Sequence, residues 1–155
     1  FNLPSGQTKL GAWLRVRDEA DKITLSYKQV KNGRIEDQKE ICLQISDFDK
    51  AVELLTAIGC LKKAYQESKR ELWKLFDTEI TIDEWPWLEP FVEVEGPTEQ
   101  AVRKASSALG FDYSQAKFCA IGHLYSLKYS VPEDIINNQI SLIVFNGHNP
   151  FLNKI

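Results

Sequence analysis

Alternation of side chains with a period of two, in short segments separated by turn residues, constrains the fold of this chain most. In the segment 13–17, Trp13, Arg15 and Arg17 fall on one side. Leu14 and Val16 fall on the other. Because successive side chains of a β-strand point to opposite faces, this pattern predicts a strand with one charged and one apolar face.

The segment Ile23–Lys28 repeats the pattern, with Ser26 and Lys28 on its polar side. The polar residues Asp18–Asp21 separate the two segments, which predicts a β-hairpin. A polar loop at Lys31–Asp37 then leads to a third alternating segment. The amino-terminal part of the chain is therefore predicted to form an antiparallel sheet.

Further strands and helices follow from the same periodicity and from helix-capping residues. After Ser46 and Asp49, which resemble a capping pair, apolar residues recur at helical spacing until Gly59. This spacing predicts a helix of about three turns. The remaining predicted elements are strands at Glu40–Ile45, Tyr65–Leu75, Thr78–Trp85, Phe91–Glu95 and Ile140–Phe145, and helices from Pro97 to Gly110 and from Ser114 to Tyr129.

The size and charge of the chain narrow the classes of protein to which it can belong. With 155 residues, 43% of them hydrophobic, it suits one domain over residues 1–155. A net charge of −3 gives no general attraction to nucleic acid or to an anionic membrane, so we expect neither as a partner. No apolar run approaches the ~18 residues of a transmembrane helix. The cysteines, 3 in number and widely spaced, fit reduced thiols, so we expect a cytoplasmic protein. We also expect a monomer or a homodimer.

The charged faces of the predicted strands admit two interpretations. They can be the solvated side of an open antiparallel sheet, which is common. They can instead line the interior of a closed antiparallel β-barrel. The apolar faces need the helices as cover and the charges segregate by strand, which favours an α+β fold in which helices pack outside a barrel of about eight strands. The basic residues on the charged faces are Arg15, Arg17, Lys28 and Arg70, and the acidic ones are Glu79, Asp83, Glu93 and Glu95.

A cavity lined by both signs of charge suits a polyanion that is bound together with a divalent cation. Arginine side chains donate two hydrogen bonds to phosphate oxygens. Carboxylates coordinate Mg²⁺ or Mn²⁺, and the ion keeps part of its water shell. Oxygen ligands argue against zinc and copper. The charge pattern therefore indicates a phosphate-rich small molecule and a magnesium or manganese cofactor.

The order of the charged segments resembles the motifs of a known family. The segments Trp13–Lys28, Lys69–Trp73, Ile80–Glu84 and Phe91–Gly96 are similar to the successive motifs of the CYTH superfamily, the triphosphate tunnel metalloenzymes. The resemblance covers roughly residues 1–145. It implies a barrel whose bore, the triphosphate tunnel, binds a triphosphate-containing small molecule.

The resemblance also implies a role for each matching residue. Arg15, Arg17 and Lys28 bind phosphates, and Arg70 adds a further phosphate contact in the catalytic group. Asp83, also in the catalytic group, matches the acidic position that supports the metal or orients the basic residues. The two glutamates of the segment Phe91–Gly96 match the metal ligands, which are Glu93 and Glu95.

The activity that the resemblance implies is metal-dependent hydrolysis of inorganic triphosphate, thiamine triphosphate or a nucleoside triphosphate. Two alternatives stay open: an adenylate cyclase of the class IV type, which makes cyclic AMP from ATP, and a non-catalytic module that binds polyphosphate or nucleotide. The family's Glu-x-Glu-x-Lys signature is absent from this sequence, so we expect that the family's first strand precedes Phe1. Ser68 occupies a position where many members have lysine.

Lys128 lies in the predicted third helix, within the segment Tyr125–Tyr129. Its amphipathic surroundings predict a solvated helical lysine outside the site. Trp85 and Trp87 flank Pro86 in a predicted loop. Such aromatic side chains can cover the mouth of the barrel or cap the core, and we expect that they cap the core.

Overall fold

The computed structural model describes residues 1–7, 9, 11–30 and 38–152, so the predicted loop Lys31–Asp37 lies outside the described residues. The chain divides into two compact units, residues 1–63 and 64–155. We describe each by itself.

The first unit contains an antiparallel sheet whose strand order is β1-β2-β3. At the predicted hairpin turn, the amide of Ala20 donates to Asp18 Oδ1 at 2.8 Å, and Ala20 has a φ of 68°. The hairpin and its register agree with the predicted period-two pattern, since Arg15 lies opposite Ser26. The strands are β1 (Ala12–Asp18), β2 (Ile23–Val30) and β3 (Gln38–Ile45).

Helix α1 (Phe48–Ala57) follows the third strand. Its N-cap is Asp47, whose Oδ1 accepts from the amide of Lys50 at 2.9 Å, so the predicted capping pair of Ser46 and Asp49 is wrong by one position. The carboxylate of Asp47 satisfies an amide that would otherwise lack a partner in the first helical turn. The helix ends as predicted, because Gly59 adopts the left-handed φ of 88° just beyond it.

The second unit contains an antiparallel sheet of order β5-β6-β7 and a separate parallel pair, β4 with β8. The single strand predicted at Tyr65–Leu75 is therefore two strands. It breaks because Glu67 turns toward β8: its amide donates to the carbonyl of Ile143 at 2.9 Å, and its Oε2 accepts from the amide of Phe145 at 3.0 Å. The strands are β4 (Tyr65–Gln66), β5 (Lys69–Leu75), β6 (Thr78–Glu84), β7 (Phe91–Glu95) and β8 (Leu142–Ile143).

The helices of this unit match the predictions in part. Helix α2 (Glu99–Ala108) lies within the predicted span from Pro97 to Gly110, and its N-cap is Thr98, whose Oγ1 accepts from the amide of Ala101 at 3.2 Å. The helix predicted from residue 114 starts later, because Asp112 caps only a short 3-10 helix and residues 116–120 are irregular. The elements here are the 3-10 helix Tyr113–Gln115, α3 (Ile121–Tyr129) and α4 (Glu133–Asn138), of which α4 was not predicted.

An aromatic core joins α3 to the loop between β6 and β7. Phe151 stacks on Tyr125 and Tyr129, with ring centroids 4.2 and 5.1 Å apart. The two tyrosine hydroxyls donate to the backbone carbonyls of Pro86 and Trp87, each at 2.8 Å. The loop that leads into β7 is therefore held at its backbone.

The predicted α+β class, with antiparallel sheets and packed helices, is confirmed. Closure of the strands into one barrel and the single-domain organisation stay predictions. Within the described part of the chain, no helix has the length and apolar character needed to cross a membrane.

Candidate functional site

The antiparallel sheet of the second unit carries a charged face. Arg70 on β5 lies opposite Asp83 on β6, and Thr81 on β6 lies opposite Glu93 on β7. Glu95 follows Glu93 by two residues and therefore points to the same side. Period-two spacing on neighbouring strands thus brings these five side chains to one face, as the sequence predicted for four of them.

Arg70 is the centre of this charged face. Its Nε and Nη2 donate to the two oxygens of Asp83 at 2.6 and 2.7 Å. Nη2 also donates to Glu93 Oε2 at 2.8 Å. Two parallel bonds from a planar guanidinium to a carboxylate fix the orientation of both groups. Hydrogen bonds to Asp83 raise the pKa of Arg70, against the opposing effect of burial.

The carboxylate of Asp83 is buried, with 0% of the residue exposed. Thr81 Oγ1 donates a further bond to Asp83 Oδ2 at 3.0 Å. A buried carboxylate is tolerated only where hydrogen bonds and an opposite charge replace its water shell. Both oxygens of Asp83 thus accept hydrogen bonds that fix Arg70 in place. Of the two roles that the family resemblance implied for Asp83, this fits the orientation of a basic residue. Thr81 completes this arrangement and was not predicted; its period-two spacing from Asp83 was the available signal.

Glu93 and Glu95 lie beside this pair and are partly exposed to solvent. Burial raises the pKa of Glu93, with the negative charges of Asp83 and Glu95 adding to the effect and Arg70 opposing it. A carboxylate that resists ionisation beside other carboxylates is a place where an added positive charge is favourable.

The donor chemistry of these glutamates fits Mg²⁺ or Mn²⁺. Both are oxygen donors, and Mg²⁺ commonly takes one or two protein carboxylates, with waters and substrate phosphates completing its shell. Among residues 1–7, 9, 11–30 and 38–152, no three His, Cys, Asp or Glu side chains converge enough to hold a metal by themselves. The metal role of Glu93 and Glu95 therefore stays a prediction, one that needs ligands from substrate and water.

The sheet of the first unit carries the other predicted basic residues. Lys28 Nζ lies 2.9 Å from Glu40 Oε2, and Arg15 Nη2 lies 3.8 Å from Glu40 Oε1. Arg17 is half-buried opposite Thr24. The structure thus brings Arg15 and Lys28 together around one carboxylate.

Glu40 is the residue of this group that sequence reasoning missed. Burial raises its pKa, but hydrogen bonding to Lys28 and the charges of Lys28 and Arg15 outweigh burial and hold the pKa below 4.5. The available signal was the pairing register, which puts Glu40 directly opposite Lys28. That register spans the loop Lys31–Asp37 and could not be read from local alternation.

Lys128 forms its hydrogen bond with a residue that belongs to neither charged face. Its Nζ donates to Glu89 Oε1 at 2.7 Å, between α3 and the β6–β7 loop, and the side chain of Glu89 is 79% exposed.

Comparison with known proteins gives a family match and structural neighbours. Two of the structural neighbours are a conserved hypothetical protein, Pfu-838710-001, from Pyrococcus furiosus, and the PH1012 protein from Pyrococcus horikoshii OT3. The first has 20% identity and a TM-score of 0.63 and covers 76% of this chain and 77% of that chain. The second has 21% identity and a TM-score of 0.66 and covers 80% and 77%. At these identities the likeness shows the fold alone.

No curated protein matches the chain. The sequence model of the CYTH domain matches residues 2–113, a span that includes β1 to α2 and every predicted site residue. Because that span is more than half of the chain, the protein belongs to the CYTH domain family.

Proposed function

We propose that this chain binds a triphosphate through its charged strand faces and hydrolyses it with the help of Mg²⁺ or Mn²⁺. The observation that carries the proposal is the arrangement of Arg70, which a buried carboxylate orients on the same face as two further glutamates. Membership of the CYTH family, a triphosphate tunnel family, supports it. The closed barrel, with charged faces lining its bore, is part of the proposal.

Arg70 is proposed to bind phosphate with its remaining guanidinium nitrogen. Asp83 and Glu93 take Nε and Nη2, so within the described hydrogen bonds Nη1 is left to a ligand. Because Asp83 fixes the plane of the guanidinium, little reorganisation is needed when the anion arrives. Asp83 is in this view a positioning residue, whereas Arg70 contacts the substrate.

Arg15, Arg17 and Lys28 are proposed to bind other phosphate oxygens. Glu40 neutralises Arg15 and Lys28 in the absence of substrate. A triphosphate carries more negative charge than one carboxylate, so it competes with Glu40 for these side chains. This exchange lets the basic residues remain ordered before the substrate binds.

Glu93 and Glu95 are proposed to hold the metal together with substrate oxygens. When bound, the metal supplies charge neutralisation on the phosphates as the bridging bond breaks. The raised pKa of Glu93 means that a proton competes with the cation for this carboxylate. Release of Glu93 from Arg70 to the metal would free one Nη2 hydrogen for phosphate, in addition to the two hydrogens on Nη1.

The reaction requires no side-chain nucleophile. A water oxygen bonds to the terminal phosphorus, the bond from that phosphorus to the bridging oxygen breaks, and orthophosphate leaves while solvent takes the proton. The chain contributes by binding and orienting the phosphates and by stabilising the charge that moves to the bridging oxygen.

The test is release of orthophosphate by the full-length protein from inorganic triphosphate, thiamine triphosphate and ATP, each with Mg²⁺ and with Mn²⁺. Arg70→Gln should lower kcat/KM by about 100-fold or more, the effect of removing a donor to transition-state charge. Lys69→Gln is the matched control, because Lys69 is adjacent, points to the opposite face and pairs with Glu84 at 3.4 Å. It should change kcat/KM less than about threefold.

The same reactions separate the alternative functions. Cyclic AMP and pyrophosphate from ATP would identify a cyclase. Tight binding without any product would identify a binding module. Either result would replace the proposed hydrolysis.

A further inference from the structure

An apolar groove lies between α3 and the loop that joins β6 to β7. Its volume is about 410 Å³, within the range of small-molecule sites. Glu89 and Lys128 form its polar rim and contact one another across it. The walls are the apolar side chains of Leu88, Pro90, Phe91, Leu124 and Leu127.

Phe91 connects the groove to the charged face of the sheet. It lies opposite Asp83 in the β6–β7 register, in the row that also contains Arg70. Because Phe91 and Glu93 are two residues apart on one strand, they point to the same side about 7 Å apart. The groove therefore begins next to the guanidinium and glutamate that the proposed function assigns to phosphate and metal.

The loop wall of the groove is preformed. Tyr125 and Tyr129 of α3 donate hydrogen bonds to the loop carbonyls of Pro86 and Trp87, each at 2.8 Å. A site whose walls are held before binding loses little entropy when the ligand enters.

One wall of the groove lies within the family match, and the other lies beyond it. Residues 88–91 lie within the CYTH span of residues 2–113, whereas Leu124, Leu127 and Lys128 lie beyond it. The shape of the groove is thus set in part by residues outside the matched CYTH span, and it is a means of selecting among substrates that share the same phosphates.

We propose that this groove receives the organic group of the triphosphate, so that the substrate is an organic triphosphate with a flat ring and not inorganic triphosphate. The inference rests on the proposed function, since it takes the phosphates to lie on the Arg70–Glu93 face. A ring held against Phe91 and Leu127 buries apolar surface on both sides. Lys128 and Glu89 at the rim offer a donor and an acceptor for the polar edge of a ring.

The experiment measures kcat/KM and, by calorimetry, Kd for inorganic triphosphate, thiamine triphosphate, ATP, GTP, CTP and UTP with the full-length protein. Wild type should prefer at least one organic triphosphate over the inorganic one. Leu127→Gln should lower that preference, the ratio of organic to inorganic affinity, by about tenfold. Leu127→Met, which keeps an apolar side chain, should retain the ratio.

Leu54→Gln is the matched control, because Leu54 is also a helical leucine and is 56% exposed against 55% for Leu127. It should leave the ratio unchanged. Both positions are exposed enough that a glutamine is not expected to prevent folding, which circular dichroism checks.

The outcomes separate this inference from the proposed function. Hydrolysis of inorganic triphosphate with no preference for any organic one overturns the groove assignment and leaves the function standing. Preferential, Leu127-dependent binding without hydrolysis supports the groove and overturns the function. No binding of any triphosphate overturns both, and a dimer that Leu127→Gln dissolves would assign the groove to a second copy instead.

Discussion

Arg70 and Asp83 face each other across β5 and β6, joined by two hydrogen bonds of 2.6 and 2.7 Å, with the carboxylate side chain entirely buried. Asp83→Asn keeps the shape of the side chain but removes the charge that Arg70 and Thr81 contact. We expect the free energy of unfolding to fall by about 1.5–3 kcal/mol, the range for hydrogen bonds to charged groups. Urea denaturation at neutral pH measures it.

The neighbouring pair of Lys69 and Glu84 provides the control for this change. This pair lies one position along the same register, and Lys69 Nζ is 3.4 Å from Glu84 Oε2. Its side chains, however, are 68% and 50% exposed. Glu84→Gln should therefore cost about 0.5 kcal/mol or less. Equal losses from Asp83→Asn and Glu84→Gln would contradict the importance of burial for the Arg70–Asp83 pair.

The sequence predicted this pair as two residues of one site, but not the bond between them. Alternation assigned Arg70 and Asp83 to charged faces, since period two is a local property of each strand. Their direct pairing depends on the turn at residues 76–77, where Phe76 adopts a φ of 54°. Glu40 was missed for a related reason, because the β2–β3 register that pairs it with Lys28 is not determined by the alternation within either strand.

Helical regions beyond residue 113 were predicted less well for a physical reason. The bounds of the elements in this region depend on tertiary contacts. Examples are the stacking of Phe151 on Tyr125 of α3 and the pairing of β8 with β4. A short helix such as α4 (Glu133–Asn138) has little stability of its own and forms where packing fixes it. Local propensity and spacing carry no signal for such contacts.

The raised pKa of Glu93 predicts a specific dependence of stability on pH. Its folded pKa lies above the ordinary value of 4.5, so the folded protein holds the proton more tightly than the unfolded chain. Stability from this group is complete below pH 4.5 and is lost as the pH rises through the folded pKa. Glu93→Gln mimics the protonated form, so its stability relative to wild type should increase over that window.

Urea denaturation of both proteins from pH 4 to pH 8, in buffer treated with a chelator, measures this difference. Addition of Mg²⁺ with inorganic triphosphate at pH 8 should reverse the order, because the ionised carboxylate then has a cation to bind. A relative stability that is constant with pH would show that Glu93 ionises normally.

Glu40 should behave in the opposite way to Glu93. Its folded pKa lies below 4.5, so its contribution is present above that value and is lost as the pH falls through the folded pKa. Glu40→Gln should therefore be less stable than wild type at pH 7 and equal to it at low pH. Because Arg15 and Lys28 lose their competing anion, affinity for inorganic triphosphate should rise about two- to fivefold.

The exposed hairpin pair of Glu19 and Lys22, 3.4 Å apart, supplies the comparison, and Glu19→Gln should leave the affinity unchanged. Isothermal titration calorimetry at pH 7 measures both variants. A weaker affinity of Glu40→Gln would mean that Glu40 positions the basic residues for phosphate and does not compete with it.

Glu95→Gln tests the metal role directly. If Glu95 supplies a carboxylate oxygen to the cation, the metal concentration for half-maximal activity should rise roughly tenfold or more. Glu84→Gln changes the same residue type on the opposite face of the sheet and should leave that concentration unchanged. The measurement is activity as a function of Mg²⁺ or Mn²⁺ concentration at fixed substrate concentration. Identical curves for wild type, Glu95→Gln and Glu84→Gln would remove Glu95 from the metal site.

Phe151 links the stability of the second unit to the loop that leads into β7. Its ring is 4% exposed and stacks on Tyr125 and Tyr129, which in turn hold the loop backbone. Phe151→Ala should lower the free energy of unfolding by about 3–5 kcal/mol, the cost of a large core cavity. Phe118→Ala, at a ring that is 63% exposed, should cost about 1 kcal/mol or less. Because loosening the stack also frees the loop, the organic-to-inorganic preference should fall in Phe151→Ala, and an unchanged preference would mean that the loop wall needs no support from α3.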